Sequence, residues 1–245
     1  MVPGTILAID AGNTRIKWGV HDGRGWKSTG AIDTAAADRL HESLEDALAA
    51  DAAVVSNVAG AAVQSAIEAA CRKAGMALAS IRSESRRLGV TNGYRDPAQL
   101  GSDRWVALIA AHRAKPGHKL VVNAGTALTV DALTGDGHFL GGLIVPGPGL
   151  MRRSLDRGTA ALRQSPGAVS EFPGSTPDAI TTGSVLACAG AIDRLAGAMA
   201  ARGSPPGLII LSGGDAGEVA PALRIPFELH PNLVLDGLQL IARSS

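Results

Sequence analysis

A strand–turn–strand unit occurs twice in this chain, and it limits the possible folds more than any other feature. The first copy is Ile6-Leu-Ala-Ile-Asp10-Ala11-Gly12-Asn13-Thr14-Arg15-Ile16-Lys17-Trp-Gly-Val20, and the second is Leu120-Val-Val-Asn123-Ala-Gly125-Thr126-Ala-Leu-Thr-Val-Asp131. In each, a short apolar run ends in a polar residue, a turn with glycine and threonine follows, and a second strand-like run leaves. Two such units, far apart in the chain, are expected to form two loops facing each other around a phosphate chain.

The residue types suit that task. A hairpin glycine permits positive φ and lets the backbone come within hydrogen-bonding distance of an anion. Successive turn N–H groups then make an anion-binding concavity. The Asp10 carboxylate suits Mg²⁺, held directly or through its waters. Thr14, Thr126 and Lys17 offer hydroxyls and a charge to phosphate oxygens. Taken singly, each turn is equally an ordinary hairpin; the repetition favours the phosphate reading.

Apolar periodicity and turn residues give the order of elements. The first half reads as strands over 5–10, 15–21 and 26–31, then a helix over 35–49 with Leu40, Leu44 and Leu48 on one stripe. A strand over 53–57, a helix over 61–74 closed by Gly75 at C′, and a weak strand over 76–81 follow. Residues 82–96 read as a long irregular loop, and a helix runs from Pro97 or Ser102 to Ala114. Lys115-Pro-Gly-His118 is the best boundary, giving domains 1–115 and 116–245. The second half reads as strands over 119–123, 126–133 and 137–145, a helix from about Leu150, and a loop over 165–177. A long helix over 178–201, strands over 208–211 and 224–229, and a last helix from about Leu233 complete it. Each half opens with a meander of strands and then adds helices and further strands, an α/β pattern with mixed sheets.

Composition narrows the class. The chain has 245 residues, 46% hydrophobic and 18% charged, which supports a sizeable core. A net charge of +1 and 3% aromatic residues give no footprint for nucleic acid. No apolar stretch reads as a membrane span, and the N-terminus lacks a basic leader, so a cytoplasmic protein is expected. Cys71 and Cys188 sit in alanine-rich helical contexts and read as reduced core residues. The six histidines are scattered without metal-ligand spacing. Arg86-Arg87 reads as a surface charge pair, and Arg152-Arg153 as a solvated helix face or an intersubunit contact.

Three further stretches carry chemistry. Asn92-Gly-Tyr94-Arg-Asp96-Pro97-Ala-Gln99-Leu-Gly101-Ser102-Asp103-Arg104 combines a capping box with an acid at the next helix start. Asp103 there either favours the helix dipole or accepts a hydroxyl proton, with Arg104 placed for an anionic group. Leu208-Ile-Ile-Leu211-Ser212-Gly213-Gly214-Asp215 runs a strand into paired glycines, a plain turn or a seat for a base or ribose. Thr181-Thr182-Gly183 lies near the start of the long helix.

Together these residues resemble type III pantothenate kinases, from Asp10-x-Gly12-Asn13-Thr14 through Gly101-x-Asp103-Arg104, Gly125-Thr126-Ala127 with Asp131, and Gly141-Gly142-Leu-Ile-x-Pro146-Gly147 to Ser212-Gly213-Gly214-Asp215. The resemblance implies two actin-like (ribonuclease H-like) α/β domains with a nucleotide cleft between them, and a homodimer. It implies ATP-dependent phosphorylation of pantothenate to 4'-phosphopantothenate, with Mg²⁺ and a monovalent cation (K⁺ or NH₄⁺). It places Asp10, Ala11, Gly12, Asn13, Thr14, Arg15, Ile16 and Lys17 in the first phosphate loop, with Mg²⁺ at Asp10 through water, and Thr126 on ATP. It assigns Tyr94, Gly101, Ser102, Asp103, Arg104 and Thr182 to pantothenate, and Asp103 to proton acceptance.

One position departs. The family usually carries an aspartate where this chain has Asn123, and that carboxylate helps hold the monovalent cation. Asparagine keeps an oxygen and loses the charge, so a weaker or altered cation requirement is expected. Two other readings stay open on sequence: a kinase of the same fold for another small hydroxylated substrate, and a non-catalytic regulator that retains the nucleotide cleft.

Overall fold

The computed structural model describes residues 4–44, 47, 49–158 and 167–244. Two compact units are present, Met1–Ala114 with Asn232–Ser245, and Lys115–Pro231.

In the first unit, strands β1 (Ile6–Ala11), β2 (Arg15–His21), β3 (Trp26–Asp33), β4 (Ala52–Asn57) and β5 (Leu78–Ser80) form a sheet in the order β3-β2-β1-β4-β5. The first three make an antiparallel meander, and β4 and β5 join in parallel. Alternation along β1 sorts its side chains. Leu7, Ile9 and Ala11 enter a core with Leu40, Leu44, Val63, Ile67 and Cys71. Ile6, Ala8 and Asp10 point to the other face, where the last helix packs on β1 and β4.

The helix expected over 35–49 is different: a 3₁₀ segment over Thr34–Arg39 leads into one short turn, α1 (Leu40–Ser43). Leu40 and Leu44 are buried as the stripe implied; Leu48 lies outside the described residues. The next helix, α2 (Ala61–Lys73), ends as its sequence suggests, with Gly75 at φ 68°. There the Met76 N–H donates to the Cys71 carbonyl and the Gly75 N–H to that of Arg72, the paired bonds of a Schellman end.

The stretch 82–96 is not irregular throughout. It contains a small hairpin, β6 (Arg86–Arg87) with β7 (Val90–Asn92). Leu88 and Gly89 turn it with φ of 48° and 87°, the positive values of a tight two-residue turn. Arg87 pairs with Glu84 at 3.1 Å. Helix α3 (Ser102–Ala114) follows a 3₁₀ turn at Pro97–Gln99, which Asp96 caps by accepting the Ala98 N–H at 3.0 Å.

The second unit repeats the plan. Strands β8 (Lys119–Ala124), β9 (Ala127–Leu133) and β10 (His138–Pro146) form an antiparallel meander, and two later strands, β11 (Leu208–Ser212) and β12 (Phe227–Leu229), add in parallel beside β8. The order β10-β9-β8-β11-β12 is that of the first sheet, strand for strand. Helix α4 (Pro148–Gly158) follows the Pro146-Gly147 break, and α5 (Thr176–Ala201) lies against β9 and β10. Residues 165 and 166 of the expected loop lie outside the described residues.

Against the sequence expectation, α5 is long and apolar enough, by length and composition, to cross a membrane. Its hydropathy is spread over many alanines rather than a run of large residues. Here its Cys188, Ile192, Ala196 and Met199 belong to the core, with Leu120, Val122, Val130 and Leu211. Both cysteines are buried thiols, Cys71 in α2 and Cys188 in α5.

A short helix, α6 (Ala216–Val219), precedes β12, and the chain ends in α7 (Leu233–Arg243). The expected domain boundaries placed α7 in the second domain; it belongs to the first unit. Leu233, Val234, Leu238 and Ile241 are buried, and α7 lies on α3 and β1. Gly237 permits that approach, since a Cβ there would collide with the Val106 carbonyl. The Trp26 Nε1–H donates to Asp236 at 2.9 Å, a bond spanning almost the whole chain.

Candidate active site

Asp10 sits at the end of β1, opposite Lys17 in β2 and opposite Ser56 in β4. Cross-strand partners share a face, so these side chains stand together on one face of the sheet, near the end of its central strand. The hairpin beyond them exposes Asn13, Thr14 and Arg15 to solvent. Ala11 and Ile16, read as part of the same phosphate loop, have fully buried side chains in the apolar core and can offer a ligand only their backbone.

Neither hairpin glycine, Gly12 or Gly125, uses the positive φ that glycine permits. Gly12 closes its own hairpin, donating its N–H to the Arg15 carbonyl at 3.0 Å. Thr34, which the sequence did not single out, braces that turn: its Oγ1–H donates to the Gly12 carbonyl at 2.7 Å and its N–H to the Thr14 carbonyl at 2.9 Å. In the second hairpin the Gly147 N–H donates to the Thr126 carbonyl at 2.9 Å. A Cβ on Gly147 would strike the Gly125 carbonyl, so the Pro146-Gly147 break and the Thr126 turn are stacked. Thr126 itself is exposed.

Asp103 lies in the first turn of α3, and its Oδ1 accepts the Arg104 N–H at 2.8 Å. A Cβ on Gly101 would fall 2.6 Å from that oxygen. The Gly-x-Asp spacing thus keeps the carboxylate's place clear. Burial pushes the Asp103 carboxyl above the ordinary carboxylate range, while the Arg104 N–H and charge pull the other way. Asp10 is pushed further, to about 7, by desolvation first and the Asp103 charge second, with Lys17 opposing.

Arg104 is only 6% exposed. Its Nη1 donates to the Tyr94 hydroxyl at 3.1 Å, and its guanidinium carbon lies 5.8 Å from the Tyr94 ring centre. Asn92, buried ahead of Tyr94, accepts the Tyr94 N–H at 3.1 Å and donates to the Pro97 carbonyl at 3.2 Å, which fixes the loop. The structure therefore brings Asp10, Lys17, Ser102, Asp103, Arg104 and Tyr94 into one unit.

Thr126, Thr182 and Asn123 belong to the other. Thr182 is buried in α5 and its Oγ1 accepts the Ser170 N–H at 3.1 Å. Asn123 ends β8, and its Oδ1 lies 2.6 Å from where a Cβ on Gly213 would stand. Asp131 is buried in the middle of β9. Arg153 is exposed, as a solvated helix face implies, while Arg152 is half-buried and forms a close two-pronged ion pair with Glu218, its second contact at 3.1 Å, and donates to Ser184 Oγ at 3.3 Å.

The raised Asp10 value has a measurable consequence for stability. Below its ordinary value of 3.8 the group is protonated in both folded and unfolded chains. As pH rises, the unfolded group ionises first, and stability is lost progressively until the folded group ionises at about 7. In metal-free buffer, the Tm of the wild type should fall between about pH 4 and about pH 7, and Asp10→Asn should flatten that fall. Thermal melts showing equal slopes for both proteins would remove Asp10 as the cause.

A family model described as type III pantothenate kinase matches residues 6–198. A type III pantothenate kinase from Aromatoleum aromaticum is 47% identical over 238 residues, covering 97% of this chain and 98% of that protein. One from Dechloromonas aromatica is 42% identical over 240 residues, covering 98% and 100%. Among solved structures, a conserved Baf family protein from Campylobacter jejuni has a TM-score of 0.61 at 18% identity, covering 97% of this chain and 98% of that one. A ROK family glucokinase from Streptomyces griseus, in complex with glucose and AMPPNP, has a TM-score of 0.55 at 14% identity, covering 99% and 100%. At such identities the structures establish the fold, a two-domain actin-like architecture with mixed sheets. The sequence likeness goes further, spanning both repeated hairpins and the Gly101-x-Asp103-Arg104 turn: this chain belongs to the type III pantothenate kinase family.

Proposed function

We propose that this protein transfers the γ-phosphoryl group of ATP to the primary hydroxyl of pantothenate, giving 4'-phosphopantothenate and ADP, the entry to coenzyme A synthesis. One observation carries the chemistry: a carboxylate at a helix start, Asp103, with its charge felt by Asp10 and its neighbour Arg104 locked to Tyr94. In this reading the pantothenate oxygen forms a bond to the γ-phosphorus, the bond from that phosphorus to the β–γ bridging oxygen breaks, and Asp103 accepts the hydroxyl proton. Phosphoryl transfer asks the protein chiefly for alignment and charge stabilisation. The hairpin after Asp10, with Lys17, and the hairpin carrying Thr126 supply phosphate contacts. Arg104 and Tyr94 hold the pantothenate carboxylate end, with Gly101 and Ser102 beside them; Thr182 is assigned to pantothenate by the family likeness alone.

The residues fit a divalent cation. A carboxyl driven to about 7 by burial beside a second carboxyl is a site where positive charge is strongly favoured. Asp10 would hold Mg²⁺ through water, and the ion would neutralise phosphate charge. The monovalent cation position fits less well, because Asn123 offers a neutral oxygen. Among the described residues no group of three or more His, Cys, Asp or Glu side chains could hold a metal. Activity should therefore depend weakly on K⁺, and Asn123→Asp should make the dependence steep. A wild-type titration already showing steep, saturable activation by K⁺ would remove that expectation.

The family likeness also supports a homodimer. Complementation of a bacterial strain lacking every pantothenate kinase tests the proposed activity. Growth restored by the wild type, and not by Asp103→Asn, supports it; failure by a well-expressed wild type overturns it.

A further inference from the structure

Strand β4 is apolar until its end, where Ala53, Val54 and Val55 give way to Ser56. Ser56 has no solvent exposure, and its Oγ lies 2.8 Å from Ser102 Oγ, one hydroxyl donating to the other. Ser56 is also the cross-strand partner of Asp10. Ser102 opens α3 and Asp103 follows it directly. Ser56 is thus joined to Asp10 through the sheet ladder and to the residue before Asp103 through a hydroxyl pair. A buried hydroxyl is favourable only while its hydrogen bond is made, and an alanine or valine would serve the core as well.

We propose that Ser56 is a positioning residue: through the Ser102 hydroxyl it seats the first turn of α3 on the end of β4, and so sets the spacing of Asp103 from Asp10. Three observations support this. Asp10 and Asp103 are near enough for the charge of one to act on the other, and that interaction falls off with separation. Gly101 leaves Asp103 a place with little slack, since a single added carbon would crowd its Oδ1. Ser83 Oγ and the Trp105 N–H both donate to the Gly101 carbonyl, from a loop and from within the helix, while the Ser56 hydroxyl links the turn to the sheet that carries Asp10. The inference rests on the proposed kinase reaction, in which alignment of the reacting groups decides the rate.

Steady-state kinetics of Ser56→Ala, Ser102→Ala and the double variant test it, with ATP and pantothenate varied separately. Ser56→Ala should lower kcat about tenfold and leave the KM for ATP within about twofold. In the Ser102→Ala background the same change should cost less than about twofold more, because the link is already cut. Ser56→Cys keeps the side-chain shape with a slightly larger atom, weakens the hydrogen bond, and should move kcat in the same direction; thermal melts establish that each variant is folded. Losses that multiply in full in the double variant, or a changed KM for ATP with unchanged kcat, would overturn the proposal. A wild type inactive on pantothenate in the same assay would sink the functional reading instead, so the two failures are distinguishable.

Discussion

Replacing Asp103 with asparagine lowers kcat by about 10²- to 10⁴-fold, the usual worth of a positioned general base, while the Kd for ATP stays near that of the wild type. The substitution keeps shape and one oxygen, so the Arg104 N–H retains its acceptor and the first turn of α3 keeps its geometry. What is lost is the site that takes the proton from the attacking hydroxyl. Burial already raises the Asp103 carboxyl above the ordinary range, which makes it a stronger base at neutral pH than a solvated carboxylate. It must be ionised to act, so the acid limb of kcat/KM should lie above the ordinary carboxylate range and vanish in Asp103→Asn. Single-turnover phosphorylation at saturating ATP separates this from a binding defect. A variant with full kcat would place the base elsewhere.

Arg104→Ala is expected to raise the KM for pantothenate by about 10²-fold or more while moving the KM for ATP by less than about threefold. Truncating one partner of a buried, hydrogen-bonded charge pair commonly costs about 2–5 kcal/mol. Arg104 is buried, and its guanidinium is held by the Tyr94 hydroxyl and ring, so its fork is oriented before any carboxylate arrives. Arg104→Lys should recover only part of the loss, because an ammonium lacks the planar two-pronged geometry. The corresponding alcohol of pantothenate, which lacks the carboxylate, provides the control: the wild type should discriminate against it and Arg104→Ala should not. Equal rises in both KM values would show that Arg104 merely supports the fold.

Much of the site is written in local pattern. The apolar runs that end at Asp10 and Asn123, the glycine turns, and the meander each one opens are short-range features set by alternation and turn chemistry. Gly101-x-Asp103-Arg104 is equally local: the missing Cβ and the carboxylate it makes room for are two residues apart. For the same reason Gly75 marked the end of α2 correctly.

What escaped that pattern involves partners distant in sequence or a choice of packing. Thr34 bracing the Asp10 hairpin, Ser56 reaching Ser102, and Arg152 pairing with Glu218 join residues that no spacing rule relates. Gly147 is a further case: a Cβ there would strike the Gly125 carbonyl, a need visible only once the end of β10 lies against the Thr126 turn. The last helix shows the division most clearly. Its apolar stripe and its start near Leu233 follow from the order of residues, because helical hydrogen bonds join near neighbours and the stripe repeats with the helical turn. Its membership of the first unit depends on Gly237 meeting the backbone of α3 and on Trp26 meeting Asp236, contacts that exist only after the chain has returned across the fold.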